Sequence, residues 1–456
     1  MFSLAFKERF EMTRLAHAFA EFEKAVSPTV SGVLTNIGPL ILEARTSRVF
    51  VGELCFVEVD YPEPRSIPCE VVGIREGTTL LMPFQTSENL SLGARVLTTG
   101  HRFRVRCGVG LLGRVLDGLG NPVDGKGELE ACPDLMDVNQ EPPRPLKRSL
   151  IRDVIFSGIK AIDATLTWGK GQRLGVFSGS GVGKSTLFGM IARNSSADIN
   201  VIGLIGERGR EVGEFIDGSL GQEGLKRSVV VTVTSDESPI MRMKGALVIH
   251  SIAEYFRDQG NDVLLLLDSL TRYTYALREI GLSMGEPPTT RGYTPSVYAR
   301  IPRLCERCGI TESGSITGLY TVLVEGDDIN EPVSDIARSV LDGHISLTRK
   351  LAERNHYPPI DVLTSISRVM PDIVSAEHFS AAAWARNVLA TYRDAEDLIN
   401  IGAYTRGNNL KIDYALQHID KIMEFFRQDR FERAPYDEVL GEFIGMSRAP
   451  ASQRAP

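Results

Sequence analysis

The sequence predicts an α/β protein in which a core built on a parallel sheet lies between a small N-terminal β-barrel and a C-terminal helical domain. Three observations support this prediction. Short β-branched runs fill residues 25–97, strands alternate with helical patterns over 151–375, and helical periodicity continues over 376–446. At about 150 residues per domain, a chain of 456 residues has room for three domains.

The composition is that of an ordinary soluble globular protein, with 43% hydrophobic and 24% charged residues. The net charge of −7 argues against a general electrostatic attraction to nucleic acid. The longest aliphatic run, Val263–Leu267, is too short to span a membrane, and we expect neither a signal peptide nor a transmembrane helix. The six cysteines are scattered, as expected for reduced cytoplasmic thiols, and the Cys305–Cys308 pair lacks the second ligand pair that a zinc site needs.

Residues 1–24 place large apolar side chains three to five positions apart with charges between them, which predicts an amphipathic helix. These side chains are Phe2, Phe6, Phe10, Leu15, Phe19 and Phe22. Packing against the rest of the chain and docking on a partner or membrane surface are equally compatible with this pattern.

Residues 25–97 contain short apolar runs separated by turn residues, which predicts a small β-barrel. The predicted strands are Val30–Leu34, Leu40–Glu43, Glu53–Val59, Cys69–Ile74 and Thr79–Met82. Residues 98–150 are expected to form a connection, because Gly113–Pro122 and Glu141–Pro145 are rich in turn-forming and helix-breaking residues.

Residues 151–375 show near-continuous apolar strands interleaved with helices, which predicts a parallel sheet covered on both faces. The predicted strands are Arg173–Phe177, Asn200–Ile205, Val229–Thr234, Val263–Leu267, Leu319–Val324 and Val362–Ile366. Residues 376–446 predict helices, with one apolar stripe around Val388 and another around Ile419, and residues 447–456 predict a frayed tail.

A glycine-rich loop follows the strand that ends at Phe177 and opens a helical stretch, which is the setting of a phosphate-binding P-loop. In such a loop the backbone N–H groups surround phosphate oxygens, Lys184 reaches the β- and γ-phosphates, and the Ser185 hydroxyl is a ligand of Mg²⁺. Ser178 stands where the strict motif has Gly, but the remaining glycines still supply the turn. The predicted nucleotide-binding residues are Ser178, Gly179, Ser180, Gly181, Val182, Gly183, Lys184, Ser185 and Thr186.

Two further strands of the predicted sheet lead into carboxylates. The run Val263–Leu267 leads into Asp268, which at the carboxyl edge of a parallel sheet would hold Mg²⁺ through water. The strand Val201–Ile205 leads into Glu207 and Arg208, where the carboxylate would orient water and the guanidinium would bind the γ-phosphate. From spacing alone, a surface ion-pair cluster explains this second segment nearly as well.

Four segments together resemble the export ATPases of flagella and type III secretion systems, which are relatives of the catalytic subunit of F-type ATP synthase. The segments are Ser178–Ser185, Gly206–Glu211, Leu267–Arg272 and Gly285–Tyr293, within a resemblance that extends over about residues 25–445. It implies a RecA-like P-loop NTPase core behind the barrel and before the helical domain. It also implies ATP as the substrate and Mg²⁺ as the cofactor.

The resemblance also assigns roles to individual residues. Glu207 matches the catalytic carboxylate, a position where non-catalytic subunits of the rotary enzymes carry Gln. Lys184 and Arg208 belong to the same catalytic set. Arg368 matches the arginine finger that enters the neighbouring subunit's site, and Tyr357 matches the aromatic residue that stacks on adenine. Because one chain carries both the carboxylate and the finger, a homohexamer with interfacial sites is expected.

The implied function is that of the ATP-hydrolysing motor of flagellar protein export, which energises the release, unfolding and translocation of export substrates. The family's partners are a stator-like regulatory protein, a central-stalk-like coiled-coil protein, chaperone–substrate complexes and the membrane export gate. We expect a cytoplasmic protein associated peripherally with the inner face of the cytoplasmic membrane, and no nucleic acid partner.

Several alternatives remain open from the sequence. An injectisome type III secretion ATPase shares the same ATP chemistry. A Rho-like RNA translocase should have a basic barrel, whereas residues 26–97 carry more acidic than basic side chains. A rotary ATP synthase catalytic subunit needs a distinct non-catalytic partner chain, and a non-enzymatic nucleotide-binding scaffold fits poorly with Lys184, Glu207 and Asp268 together.

Overall fold

The computed structural model describes residues 29–60, 63–85, 89–179, 181–324 and 331–448. The predicted amphipathic segment 1–24, Ser180 of the glycine-rich loop and most of the predicted tail lie outside these ranges. Within them, a closed barrel is followed by a largely parallel sheet and then by helices, so the predicted fold class is confirmed.

Six antiparallel strands close into a barrel around apolar side chains such as Leu42, Val57 and Val71, which are fully buried. Strand β6 crosses the boundary predicted at residue 97, because its pairing with β3 extends to Arg102. The barrel strands, in the order β1-β2-β5-β4-β3-β6, are β1 (Thr29–Ile37), β2 (Leu42–Thr46), β3 (Glu53–Val59), β4 (Arg65–Arg75), β5 (Thr78–Pro83) and β6 (Arg95–Arg102).

The predicted connection contains regular structure of its own. Strand β7 pairs with β9, and strand β8 joins the edge of the core sheet. The elements of residues 98–150 are β7 (Arg104–Cys107), β8 (Val115–Leu116), β9 (Asp134–Asp137) and the 3-10 turns Val109–Leu111 and Pro145–Lys147. At the start of the predicted core follow β10 (Val154–Ile155), helix α1 (Lys160–Thr165) and β11 (Trp168–Gly169), and β10 pairs with β11. The connection therefore contributes one strand to the sheet that carries the site.

Among the described residues, the core sheet has nine strands, in the order β19-β18-β12-β17-β15-β13-β14-β8, with β16 paired to β17. All neighbours along this order are parallel except β18 and β19. Leu264–Leu267 of β15 are fully buried, as expected for a strand covered on both faces. The remaining strands are β12 (Arg173–Ser178), β13 (Ile199–Glu207), β14 (Ser228–Thr234), β15 (Asp262–Asp268), β16 (Gly309–Ile310), β17 (Ser315–Leu323), β18 (Gly343–Ser346) and β19 (Ile366–Ser367).

One predicted core strand, Val362–Ile366, is wrong. The chain turns there because the Asp361 carboxylate accepts the N–H of Leu363 at 3.0 Å and the Asp361 carbonyl accepts the hydroxyl of Ser365 at 2.6 Å. Only the short strand β19 follows, and it runs antiparallel to β18. On the side of β12 away from β17, the parallel neighbour is β18, a four-residue segment without the apolar run that marks the other strands.

Helices cover the sheet and form the C-terminal domain, and Val388 of the first stripe and Phe426 of the second share one apolar cluster with residues of the core. Among the helices of the described ranges, none has the length and hydropathy needed to cross a membrane. The helices after α1 are α2 (Lys184–Asn194), α3 (Gly209–Gly213), the π-helical Glu214–Leu220, α4 (Gly221–Lys226), α5 (Pro239–Asp258), α6 (Leu270–Ser283), the 3-10 turn Thr290–Gly292, α7 (Pro295–Cys305), α8 (Pro332–Val340), α9 (Arg349–Glu353), α10 (Met370–Ile373), α11 (Ala376–Asn400), α12 (Leu410–Phe426) and α13 (Tyr436–Ser447).

Candidate functional site

The glycine-rich loop connects the central strand β12 to helix α2 at the carboxyl edge of the sheet. Gly181 (φ 77°) and Gly183 (φ 98°) have left-handed backbone conformations that residues with a Cβ rarely adopt. Backbone N–H groups in such a turn and at the start of a helix attract phosphate oxygens. Of the other predicted loop residues, Ser178 and Val182 are buried, Gly179 and Thr186 are half-buried, and Ser185 is exposed.

Lys184 lies between two carboxylates at this edge of the sheet. Strands β13 and β15 are neighbours, with Leu204 opposite Asp268, and they end at Glu207 and Asp268. The Lys184 Nζ is 2.5 Å from Asp268 Oδ1 and 3.6 Å from Glu207 Oε1. The side chain of Lys184 is 12% exposed, that of Asp268 4% and that of Glu207 13%. The structure thus brings together three predicted site residues from distant parts of the sequence.

The charges in this cluster do not balance, because two carboxylates share one ammonium group. Burial and the negative charge of Asp268 raise the pKa of Glu207 to about 7, against the opposing effect of Lys184. Burial alone would lower the pKa of Lys184, but the charges of Asp268 and Glu207 raise it. Lys184 is therefore charged, and Glu207 exchanges a proton near neutral pH, as a general base does.

The oxygen atoms beside Lys184 suit a magnesium ion. Asp268 presents a buried carboxylate whose Oδ1 also accepts the hydroxyl of Thr321 at 2.8 Å, and Ser185 adds an exposed hydroxyl at the start of α2. In nucleotide sites Mg²⁺ takes one or two protein oxygens and completes its shell with phosphate and water. No group of three or more His, Cys, Asp or Glu side chains is arranged as metal ligands in the described ranges.

Tyr357 lies beside the glycine-rich loop. Its ring carbon Cε1 is 3.8 Å from the position that a Cβ would take on Gly183, and the residue is 44% exposed. The Tyr357 carbonyl accepts the N–H of Gln428 at 2.9 Å, which ties this residue to the segment after α12. An aromatic face is therefore available next to the loop.

Arg208 does not converge on the carboxylate cluster. Its side chain is 82% exposed, and its ion pair is with Glu211, at 3.7 Å between Nη1 and Oε1. The sequence places this arginine next to Glu207, but the side chain extends from the first turn of α3 into solvent.

Arg368 lies at the opposite edge of the sheet from Lys184. Its N–H donates to the carbonyl of Asp342 at 3.0 Å, and the N–H of Asp342 donates to the carbonyl of Arg173 at 2.8 Å. Arg173 begins β12, whereas the glycine-rich loop follows its last residue, Ser178. A strand rises about 3.3 Å per residue, so the two ends of β12 are about 16 Å apart. Arg368 therefore takes no part in the lysine–carboxylate cluster of its own chain.

Two residues near the cluster were not predicted as site residues. Thr321 is a fully buried residue of β17 and holds the Asp268 carboxylate. The side chain of Arg272, on α6, covers Gly206 so closely that a Cβ there would approach the Arg272 Cβ to 2.7 Å. The Arg272 Nε is buried and has no hydrogen-bond partner among the described residues. A threonine in a strand and an arginine on a helix are both ordinary, so only the meeting of distant segments reveals them.

Comparisons with known proteins decide the family. The flagellum-specific ATP synthase of Bacillus subtilis (strain 168) is 48% identical over 91% of this chain and 95% of its own length. The chain belongs to the flagellar and type III secretion export ATPases. Three family models match this export ATPase: the beta-barrel domain of the ATP synthase alpha/beta family over residues 33–100, its nucleotide-binding domain over 158–367, and the T3SS EscN ATPase C-terminal domain over 374–444.

Other relatives of this export ATPase come from both kinds of secretion system. The type 3 secretion system ATPase of Xanthomonas euvesicatoria is 47% identical over 90% of this chain and 92% of its own length. The assembled ATPase EscN of the enteropathogenic E. coli type III secretion system has a TM-score of 0.85 at 43% identity, covering 91% of this chain and all 100% of its own. The same ATPase in complex with its central stalk EscO has a TM-score of 0.84 with the same coverage. ATP is therefore the substrate class, and ATP hydrolysis is the activity.

Proposed function

We propose that this export ATPase hydrolyses ATP at sites that a neighbouring copy of the chain completes. The observation that supports the proposal is the position of Arg368, at the edge of the sheet opposite Lys184. An arginine that neutralises the charge of the transferred phosphoryl group accelerates hydrolysis roughly 10³- to 10⁵-fold. Because Arg368 is remote from its own glycine-rich loop, it serves the loop of the next subunit.

Within one subunit, the loop N–H groups and Lys184 bind the phosphates, and Tyr357 stacks on the adenine. Ser185 and Asp268 would hold Mg²⁺, which when bound would neutralise phosphate charge. Glu207, with a pKa of about 7, orients the attacking water and accepts its proton. Arg208 binds the γ-phosphate only after its exposed side chain turns inward, a rearrangement that nucleotide binding would have to drive.

A homohexameric ring is the assembly that we propose for these sites. The chain supplies both halves of each site, and its relative EscN is an assembled ATPase, which supports an oligomer here. The complex of EscN with its central stalk EscO supports a central-stalk-like partner for this chain, which we propose is a coiled coil. A stator-like regulator, chaperone–substrate complexes and peripheral association with the export gate at the cytoplasmic membrane complete the proposal.

Flagellar protein export is the process that we propose this activity energises, since flagellum-specific relatives reach 48% identity over nine-tenths of the chain. Injectisome secretion is the second candidate, because the relative from Xanthomonas euvesicatoria is 47% identical. Deletion of the gene separates them: loss of external flagellar proteins and motility supports the first, and loss of secreted effector proteins with normal motility supports the second.

Mixing two inactive variants tests the interfacial site directly. Glu207→Gln keeps the finger but loses the carboxylate, and Arg368→Ala keeps the carboxylate but loses the finger. In randomly mixed rings about a quarter of the sites combine an intact carboxylate with an intact neighbouring finger, so activity should return on mixing. If the mixture stays as inactive as either variant alone, catalysis between subunits is ruled out.

A further inference from the structure

A network of polar contacts joins the start of β12 to the base of Arg368, and Asp342 is its centre. The Arg173 guanidinium binds the Asp342 carboxylate at two points, Nε to Oδ2 at 2.9 Å and Nη2 to Oδ1 at 3.0 Å. The N–H of Arg173 also donates to Oδ2 at 3.0 Å. On its other side, the Asp342 carbonyl accepts the N–H of Arg368 at 3.0 Å.

Gln172 adds a second link to the same place. Gln172 is fully buried, and its Nε2 donates to the hydroxyl of Ser367 at 3.0 Å and to the carbonyl of Asp342 at 3.3 Å. The Ser367 hydroxyl in turn donates to the carbonyl of Thr167 at 2.9 Å. Gln172 therefore holds Ser367, the residue before Arg368. Together with Arg173 it also holds Asp342, whose carbonyl accepts the Arg368 N–H.

Arg173 is held from its other side as well. Its Nη1 binds Glu306, and Glu306 also pairs with Arg148 at 2.9 Å. The Arg173 side chain is only 16% exposed, so its guanidinium is largely shielded from water, although Glu306 is 39% exposed. A planar guanidinium with carboxylates on two sides fixes the angle as well as the distance of the groups that it binds.

We propose that Arg173, acting through Asp342, is a positioning residue that sets where Arg368 is presented to the neighbouring subunit. The inference rests on the proposed interfacial role of Arg368. A misplacement of about 1 Å in a catalytic group costs about 10²-fold in rate, so loss of the two-point contact matters even when the finger itself is intact. Because β12 also carries the glycine-rich loop, one strand supports both the nucleotide site of its own subunit and the finger that serves the next.

The test places Arg173→Lys in one chain of the complementing pair. Lysine keeps the positive charge but makes one contact where arginine makes two. In the chain that donates the finger (Glu207→Gln), it should lower the restored kcat by about 10- to 100-fold with KM unchanged. In the chain that receives the finger (Arg368→Ala), it should leave the restored activity unchanged, because the finger there comes from the other chain.

Two further variants keep the result decisive. Asp342→Asn weakens the same contact by removing the carboxylate instead of the guanidinium. It replaces Arg173→Lys if circular dichroism shows that the Arg173→Lys chain does not fold. Lys170→Met in the donor is the matched control, since it removes an ion pair with Asp262 at the same edge of the sheet without touching Asp342. The control donor should restore as much activity as the donor without the Arg173 substitution.

Each outcome bears on a different statement. Equal restoration by the unsubstituted and the Arg173→Lys donors overturns the positioning role. Equal losses with the substitution in the donor and in the receiver also overturn it, because they show a general defect of the sheet. Failure of the unsubstituted pair to regain activity overturns the proposed interfacial function, and the positioning role with it.

Discussion

Replacing Glu207 with Gln separates the cost of a buried carboxylate from its use in catalysis. The pKa of Glu207 is raised from 4.5 to about 7, first by burial and then by the charge of Asp268. Between these values the folded chain binds a proton that the unfolded chain releases, so the stabilising contribution is complete below pH 4.5 and lost as the pH rises through 7. At 1.36 kcal/mol per pKa unit, ionisation of Glu207 lowers the free energy of unfolding of the wild-type chain by about 3 kcal/mol at pH 8, relative to its value below pH 4.5. Glutamine never ionises, so Glu207→Gln should melt several degrees higher than wild type at pH 8, with most of the difference gone at pH 5.

The same substitution should nearly abolish ATP hydrolysis while nucleotide still binds. Loss of a general base costs about 10²- to 10⁴-fold in rate. In the wild-type protein kcat/KM should fall about tenfold from pH 8 to pH 6, because the ionised fraction of a group with a pKa of about 7 falls about tenfold over that range. Phosphate release at pH 6 and pH 8 measures turnover, and titration with a fluorescent nucleotide measures binding. Thermal denaturation at pH 5 and pH 8 measures stability.

Glu214→Gln is the matched control, because Glu214 follows on the same segment, has 58% of its side chain exposed and pairs with Arg210. It should retain most of the activity and the wild-type melting temperature. Near-normal turnover of Glu207→Gln would refute the catalytic role of Glu207. An unchanged melting temperature at pH 8 would refute the statement that its ionised form is costly in the folded chain.

Thr321→Val should raise the Mg²⁺ concentration for half-maximal ATPase activity about tenfold or more, because the Thr321 hydroxyl holds the Asp268 carboxylate. A titration of activity with Mg²⁺ measures the shift, and an unchanged midpoint contradicts the prediction. Asp268→Asn should bind nucleotide more tightly than wild type in EDTA, since phosphate would no longer draw the lysine ammonium away from a buried carboxylate; equal affinities by fluorescence titration would argue against this exchange. Lys244→Met should destabilise the chain by about 3–5 kcal/mol in urea denaturation. It leaves the buried Glu70 of the barrel without a partner, since the Lys244 Nζ is 2.8 Å from the Glu70 Oε2. The double variant with Glu70→Met should recover most of the lost stability. Deletion of residues 1–20 should weaken binding of the stator-like regulator in calorimetry with nucleotide affinity unchanged, whereas undiminished binding would favour packing of this segment within the chain.

The strands were most predictable where apolar residues run without interruption. Strand β3 has the predicted limits Glu53–Val59, and the leucine run of β15 leads to Asp268 at the carboxyl edge, as a parallel sheet requires. At Asp361 the β-branched pattern fails, because side-chain hydrogen bonds to the backbone offer the chain a turn in place of a strand. The hydrophobic periodicity of a sequence does not show where side-chain hydrogen bonds to the backbone favour a turn over a strand.

The sequence named residues that the structure brings together, but not all of their contacts. Lys184 follows from the glycine-rich loop and Asp268 from the end of the leucine run, whereas Glu207 was assigned only by the family resemblance. The sheet order places all three at one edge. The contact of Thr321 with Asp268 depends on two strands 53 residues apart, so no local pattern encodes it. Arg208 shows the converse, because adjacency to Glu207 in the sequence does not fix the direction of a long, solvated side chain.

The placement of the two half-sites restricts the kind of oligomer that this export ATPase can form. A two-fold dimer joins the same surface of both copies, so it can complete a site only if the lysine–carboxylate cluster and the finger lie on one surface. Here they lie at opposite edges of one sheet, about 16 Å apart along β12. If Arg368 completes the site of a neighbour, as proposed, the contact between subunits joins the edge that carries Lys184 to the edge that carries Arg368 on the next copy. Such a head-to-tail contact leaves one incomplete site at the end of every open oligomer, and only closure into a ring removes it. Activity per subunit should therefore rise with protein concentration until rings close.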